Sequence, residues 1–210
     1  VRGGSPDQNL ILLDGVPVYN ANHLFGFFSV FNPDAISSVS IMKGGFPARY
    51  GGRLSSVIDV RMKEGNLKEF EGDLSVGLIA AKFAVQGPIK KDTTSYMISA
   101  RRTYIDALIQ PVLIAAEGIS AGYYFYDVNA KVNHKINKNH RIFASAYLGN
   151  DKAYNNENYG DGDRLQASLR WGNLTSALRW NWRMSERLFS NTTFTYSNYD
   201  LAVGFEEEYA

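Results

Sequence analysis

The 210-residue sequence contains no cysteine. This absence excludes a disulfide scaffold, a thiolate metal site and a cysteine nucleophile. The three histidines, His23, His134 and His140, follow no metal-ligand spacing such as H-x-x-x-H. We therefore expect neither a metal site nor a bound cofactor.

The sequence also lacks a charge bias and a long apolar run. Its 22 basic and 21 acidic residues leave a net charge of +1, which does not favour binding to nucleic acid. A membrane helix needs about 18 consecutive apolar residues. The nearest candidate, residues 105–116, is short and contains Asp106 and Pro111. Because the chain begins at Val1 with neither a methionine nor a signal peptide, we expect it to be a piece of a longer protein.

A glycine-rich crossing lies between two strand-like runs in residues 41–60, which read IMKGGFPARYGGRLSSVIDV. Glycine frees backbone N–H groups to face an anion, so a phosphate site is one candidate. The stretch matches neither the P-loop nor the dinucleotide motif, and a strand rather than a helix follows Gly52. The pattern favours a sharp chain reversal.

Aromatic residues are abundant, with 13 Tyr, 12 Phe and 3 Trp set among polar residues. From Tyr124 to Ile136, and again from Leu174 to Met184, apolar and polar side chains alternate. Such a period of two is typical of a strand with one apolar and one wet face. This alternation predicts an all-β fold.

Strand length favours a transmembrane barrel over a soluble sheet. Several predicted strands exceed ten residues, whereas soluble strands average about five or six and a bilayer-spanning strand needs about 9 to 11. Short polar turns alternate with long links at 103–122 and 152–168, as in outer-membrane barrels. Trp180 and Trp182 precede a short turn, where an aromatic girdle is expected. The predicted strands cover residues 70–77, 81–88, 94–102, 123–136, 141–151, 170–184 and 188–203.

Seven strands cannot close such a barrel. Bacterial single-chain barrels have an even strand number, and an open edge in hydrocarbon leaves backbone groups unpaired. Further strands are therefore expected after Ala210 in the parent protein.

Several segments together resemble the plug domain of TonB-dependent outer-membrane receptors. They are Arg2-Gly3, LILLDGVPV (10–18), NPDAISSVSIMKGG (32–45), ARYGGRLSSVIDV (48–60) and the barrel entry KFAVQGPI (82–89). Residues 44–66 are also similar to receptors of Bacteroidota that carry a carboxypeptidase-like regulatory domain. The resemblance implies the C-terminal part of a plug domain in residues 1–65 and the N-terminal part of the barrel in 66–210.

The resemblance further implies a receptor in the cell outer membrane rather than an enzyme. Such receptors import a scarce ligand, for example a ferric siderophore, with energy from the TonB–ExbB–ExbD complex acting on a TonB box outside this chain. Outer-membrane lipid would surround the barrel, and nucleic acid is not an expected partner. The ligand stays open among a ferric siderophore, a cobalamin, a glycan and a peptide.

Basic plug residues in this family form salt bridges to barrel carboxylates. The resemblance assigns that role to Arg2 and Lys43, and Arg49 and Arg53 are further candidates because their guanidinium groups suit lumen carboxylates or carbonyls. The family usually has Arg-Gly-Pro where this chain has Lys43-Gly44-Gly45, which keeps the charge but loses the bidentate geometry.

The segment after the Asp-Gly turn, residues 19–32, is the expected ligand-facing apex of the plug. A connection this long inside a compact domain is uncommon unless it is functional or disordered. Its candidate ligand-binding residues are Tyr19, Asn20, Asn22 and His23, whose polar groups suit hydrogen bonds to a ligand. For its phenylalanines, Phe25, Phe27 and Phe28, packing within the plug is the favoured interpretation.

The residues leave two other classes of protein open. A soluble all-β ligand- or carbohydrate-binding domain explains the aromatic residues, but it predicts shorter strands and a carboxylate pair in a cleft. The candidate carboxylate pair, Asp161 and Asp163, lies in a glycine-rich stretch typical of a solvated loop. A passive porin or a barrel enzyme explains the strands but not the plug.

Overall fold

The computed structural model describes residues 5–158 and 164–208, and most of them are in strands. The first six strands are short: β1 (Asn9–Leu13), β2 (Val16–Pro17), β3 (Asn22–His23), β4 (Phe28–Ser29), β5 (Ile36–Lys43) and β6 (Ser56–Met62). The others are β7 (Glu71–Val76), β8 (Ala80–Lys90), β9 (Thr94–Thr103), β10 (Ser120–Lys135), β11 (His140–Asn158), β12 (Arg164–Arg183) and β13 (Phe189–Glu208). One helix, α1 (Ile105–Glu117), lies between β9 and β10.

The short strands form the plug region, a mixed sheet in the order β2-β1-β6-β5. β1 pairs parallel with β6 and turns back into β2 at Asp14 and Gly15, which both have positive φ. β5 pairs antiparallel with β6, so the glycine-rich crossing is a reversal between neighbouring strands. Gly52 has a positive φ there, whereas Gly51 does not and contributes no left-handed turn.

The long strands form one antiparallel sheet in sequence order, from β7 to β13, which confirms the predicted seven-stranded fragment. Its side chains are arranged inside out. On β10, Asp127 and Asn129 are almost fully buried against the plug, whereas Val132 on the opposite parity is 39% exposed. On β12, Thr175 is buried and Leu178 is exposed. The sheet therefore has a polar inner face that covers the plug and an apolar outer face.

The apolar core lies between the plug sheet and the inner face of the long sheet. Its plug members include Leu13, Val30 and Val60. Met97 on β9 and Tyr147 on β11 reach inward from the long sheet and complete this cluster. The plug is thus packed against the wall by apolar contacts as well as by polar ones.

The link predicted at residues 152–168 is shorter than expected, because β11 continues to Asn158 and β12 begins at Arg164. Polar composition does not show where a strand ends. A strand whose outer face is exposed to water contains polar side chains while its backbone continues to pair. Asp161 and Asp163 lie outside the described residues.

The link at residues 103–122 contains helix α1, which ends at Gly118 with φ 69°. The helix carries Pro111 in its interior and buries none of its residues. Gln110 Nε2 donates a hydrogen bond to Ser120 Oγ on β10 at 2.9 Å. Among the described residues, no helix has the length and apolar character needed to cross a bilayer.

Candidate functional site

Residues 19–32 form the plug apex, which contains the β3–β4 hairpin and lies against the inner face of the long sheet. One side chain of the sheet holds its entry. Asn173 Oδ1 on β12 accepts a hydrogen bond from the Tyr19 backbone N–H at 3.2 Å. Asn173 Nδ2 donates to the Asn20 carbonyl oxygen at 3.0 Å. The backbone of the apex is thereby fixed to the wall at two adjacent residues.

A cavity of about 320 Å³ lies where the plug apex meets β12 and β13. We call it the apex cavity. It brings together two of the four predicted ligand-binding residues, Asn20 and Asn22, and Tyr19 is exposed beside them. The lining consists of Asn20, Asn22, Gly26, Leu169, Trp171, Tyr199 and Leu201. Amide groups on an otherwise apolar and aromatic surface are typical of a small-molecule site.

His23, the fourth predicted ligand-binding residue, is only 1% exposed and contacts the wall. Its ring stacks on Phe125 of β10, with the ring centroids 4.1 Å apart and the planes at 6°. Its Nδ1 lies 2.6 Å from Asp151 Oδ2 on β11. Tyr123 donates its hydroxyl hydrogen to the same carboxylate. In this structure His23 makes a plug–wall contact and does not line the apex cavity.

The contact around His23 extends into a charged network. His23 Nε2 lies 3.7 Å from Asp127 Oδ2, and Arg101 Nε donates to that oxygen at 2.7 Å. Arg101 Nη2 also donates to the Ser29 carbonyl oxygen of the plug at 2.7 Å. The two wall carboxylates thus face His23 of the plug apex and Arg101 of the wall, which itself binds the apex backbone. Buried carboxylates require such partners, because an unpaired buried charge is costly.

Three further ion pairs join the plug to the wall, and in each the acid belongs to the plug region or its linker. Asp14 lies 2.9 Å from Lys131 Nζ, and both side chains are nearly buried. Asp34 lies 2.7 Å from Lys82 Nζ, and Arg141 Nη2 donates to Glu64 at 2.8 Å. The charge arrangement at these contacts is the reverse of the expected one, in which plug cations meet barrel acids.

The predicted basic plug residues lie elsewhere. Lys43 is exposed, Arg49 stacks on the ring of Tyr50, and Arg53 donates to the Gly52 carbonyl oxygen at 2.8 Å. Arg2 lies outside the described residues. Contacts of these residues with barrel carboxylates beyond β13 stay a prediction, since the resemblance assigns their partners to strands outside this chain.

The acids that hold the plug are not identifiable from the sequence. Asp14 was interpreted only as part of a turn, yet its Oδ1 accepts from the Met62 backbone N–H at 3.2 Å and its Oδ2 faces Lys131. The sequence contains a weak signal for the wall residues that face the plug. Asp127, Asn129 and Lys131 form a polar parity on a strand whose other parity is apolar. That pattern identifies a face that requires polar partners but does not say which ones.

Metal coordination has no support in the part of the chain that the structure describes. No cluster of three or more His, Asp and Glu side chains there has an arrangement suited to a metal ion.

The comparisons with known proteins agree with this geometry. Residues 1–57 match the family model of the TonB-dependent receptor plug domain. Among solved structures, the siderophore receptor PirA from Acinetobacter baumannii is similar at 15% identity and TM-score 0.51, over 95% of this chain and 41% of that chain. This chain has the fold of part of a TonB-dependent receptor.

A second receptor structure gives the same result. A mutant of the ferric enterobactin receptor PfeA from Pseudomonas aeruginosa is similar at 15% identity and TM-score 0.53, over 99% of this chain and 39% of that chain. The chain thus spans about two fifths of the length of either receptor. A comparison with curated protein sequences found no match.

Proposed function

We propose that this chain is the plug segment and the first seven barrel strands of a TonB-dependent receptor that imports a scarce ligand across the outer membrane. The observation that carries the proposal is the inside-out sheet. Its buried face holds Asp127, Asn129 and Lys131 against the plug, whereas Val132 and Leu178 on its other face are exposed. A sheet with this arrangement is stable when lipid covers the apolar face and a plug fills the lumen.

Import rather than passive diffusion is supported by how tightly the plug is held. Ion pairs join it to β8, β10 and β11 through Lys82, Lys131 and Arg141, and the Lys131 pair is buried. A lumen closed by such contacts opens only when work is done on the plug. The TonB–ExbB–ExbD complex would supply that work through a TonB box outside this chain.

Siderophore uptake is the first ligand class to test, because the two similar receptors carry siderophore names. The ligand would bind in the apex cavity, where Asn20 and Asn22 present amide groups and Tyr19 is exposed. Other nutrients of similar size remain within the proposal.

The test is growth and uptake with the complete receptor. Cells lacking the receptor are compared with cells lacking TonB on a panel of ferric siderophores as the iron source and glycans as the carbon source. We expect at least one nutrient on which both strains fail alike and which the wild-type receptor restores. Receptor-dependent uptake that persists without TonB would instead indicate a passive channel, and equal growth of the receptor-deficient and wild-type strains on the whole panel would contradict nutrient import.

A further inference from the structure

The polarity of β12 and β13 reverses along their length. Near the plug, the inner parity of these strands is polar, with Asn173 and Thr175 on β12. Beyond Asn173, toward Arg164, the same inner parity becomes mainly apolar, up to Glu207 of β13, which pairs with Leu165. We call this surface the vestibule wall; it comprises Leu165, Ala167, Leu169 and Trp171 on β12 and Leu201, Val203 and Phe205 on β13.

The outer parity changes in the opposite sense at the same level. Leu174 and Leu178 are apolar, but the positions beyond them carry Gln166, Ser168 and an exposed ion pair between Arg170 and Asp200 at 3.1 Å. A lipid-facing surface would not carry such groups, because ionisable side chains are costly in hydrocarbon. This end of the sheet therefore stands above the bilayer, and its apolar side faces the interior above the plug.

The β13 side of the vestibule wall is exposed, whereas Trp171 on the β12 side is buried. Leu201, Val203 and Phe205 are 57%, 75% and 69% exposed. The wall leads directly into the apex cavity, since Leu169 and Leu201 line both. Apolar side chains facing the water above a plug are unfavourable unless they bind something. Their continuity with a ligand-sized cavity indicates that the bound molecule is a ligand.

Among the described residues, no charged side chain lines the apex cavity. The nearest wall charges already have partners: Asp151 binds His23 and Tyr123, and Arg170 pairs with Asp200 on the other face. The polar groups that remain for a ligand are the amides of Asn20 and Asn22 and the hydroxyl of Tyr199. These groups hydrogen-bond a neutral polar group but do not neutralise an ion.

From this lining we propose that the ligand is uncharged and presents an apolar face to the vestibule wall, with hydrogen-bonding groups directed at Asn20 and Asn22. The inference rests on the proposed function and narrows its ligand class. An anionic ferric complex is disfavoured at this site, since burying an ion without a counter-charge costs more than its contacts return. A neutral ferric complex or a neutral organic nutrient satisfies the lining.

The test uses two matched fluorescent probes and the complete receptor in lipid nanodiscs. N-phenyl-1-naphthylamine is neutral, and 8-anilinonaphthalene-1-sulfonate adds one sulfonate to a closely similar aromatic frame. Empty nanodiscs give the lipid background. We expect saturable binding of the neutral probe, and binding of the sulfonate weaker by about tenfold or more, which corresponds to about 1.4 kcal/mol.

Matched variants locate the probe. Leu201→Asp introduces a charge into the vestibule wall, whereas Ala202→Asp introduces it at the next residue of β13, on the outer face. We expect Leu201→Asp to weaken binding of the neutral probe by about tenfold or more and Ala202→Asp to leave it nearly unchanged. Leu201→Asn, which carries no charge, should give an intermediate loss and serves if the aspartate variant fails to fold.

Three results would overturn the inference. They are equal affinity for the two probes, equal effects of the Leu201 and Ala202 substitutions, and no saturable signal above empty nanodiscs. The last would mean that another segment of the receptor covers the vestibule wall. TonB-dependent uptake is measured separately, so a receptor that imports an anionic complex would contradict this inference while leaving the proposed function intact.

Discussion

The plug sheet and the long sheet bury opposite kinds of side chain. The plug sheet hides apolar residues such as Leu13 and Val60, as a water-soluble domain does. The long sheet hides Asp127 and Asn133 and exposes Leu178. The difference follows from their surroundings: the plug faces a largely polar wall, whereas the long sheet has a plug on one face and is expected to have hydrocarbon on the other. Each region is thus stable only beside the other.

Removing the buried cation that joins the two regions should have the largest effect on the stability of the receptor. Lys131→Met should destabilise the complete receptor by about 3–5 kcal/mol, because Asp14 would remain buried and unpaired. Urea unfolding of the refolded receptor in detergent measures the change. Arg170→Met is the matched control, since it removes one partner of an exposed pair and should cost at most about 1 kcal/mol.

Restoring neutrality should recover much of that loss. Asp14→Asn combined with Lys131→Met removes both charges, so the double variant should be more stable than Lys131→Met alone. If Lys131→Met and Arg170→Met cost the same, the Asp14–Lys131 pair would not hold the plug as described.

The next largest effect tests the outer face. Leu178→Arg should cost about 2–4 kcal/mol if this position lies near the bilayer midplane, whereas Gln166→Arg, higher on the same face of β12, should cost about 0–1 kcal/mol. Folding into lipid vesicles, followed by electrophoretic mobility without heating, compares the two. Equal tolerance at both positions would contradict the lipid-facing assignment of Leu178.

A smaller effect is expected where the linker between the regions approaches β9. Gly65 has φ 83°, and a Cβ there would overlap the backbone carbonyl of Tyr96. Gly65→Ala should therefore cost about 1–3 kcal/mol from backbone strain, with the overlap added. Gly51→Ala is the control, because Gly51 has no positive φ and open space around it. Differential scanning calorimetry measures both, and equal melting temperatures would show that the linker moves freely.

The smallest effect concerns the apex. Asn173→Ala removes two hydrogen bonds to the backbone of Tyr19 and Asn20 and should cost about 1–2 kcal/mol. Hydrogen exchange of the Tyr19 amide should also become faster. Asn198→Ala, on the outer face of β13, is the control and should alter neither measurement. Unchanged exchange in Asn173→Ala would mean that the apex is held by other contacts.

The sequence predicted the architecture well, because alternation is a local property of each strand. The parity of Val128 and Val132 against Asn129 and Lys131 indicated both the strand and its two faces before any contact was known. The seven strands and the plug reversal followed from the same kind of local pattern.

The partners of the polar face could not be predicted in this way. His23 and Asp151 lie 128 positions apart, and nothing local connects them. Each is an ordinary polar residue in the sequence, and only the position of the apex hairpin on β10 and β11 makes them neighbours. For the same reason His23 was grouped with Asn20 and Asn22, although only the two asparagines line the apex cavity.

The reversal of polarity along β12 was also hidden, because both halves of the strand alternate with the same period. Leu169 and Trp171 share the parity of Asn173 in the sequence itself, but only the contacts of Asn173 with the plug show that this parity faces inward. Period-two alternation identifies two faces but gives no information about which face is inside, so a change of environment along a strand has to be read from contacts.

The central claim, that the apolar face of the long sheet meets lipid, is tested most directly by spin labels along β12. Single cysteines are placed from Arg164 to Met184 in the complete receptor, and label collisions with oxygen and with a water-soluble nickel chelate are measured in bilayers. The account predicts alternation between 174 and 184, with oxygen contact highest at Leu174, Leu178 and Trp180, and nickel contact at both parities between 164 and 170. Uniform nickel contact along the whole strand, or oxygen contact centred on Thr175 and Ala177, would contradict it.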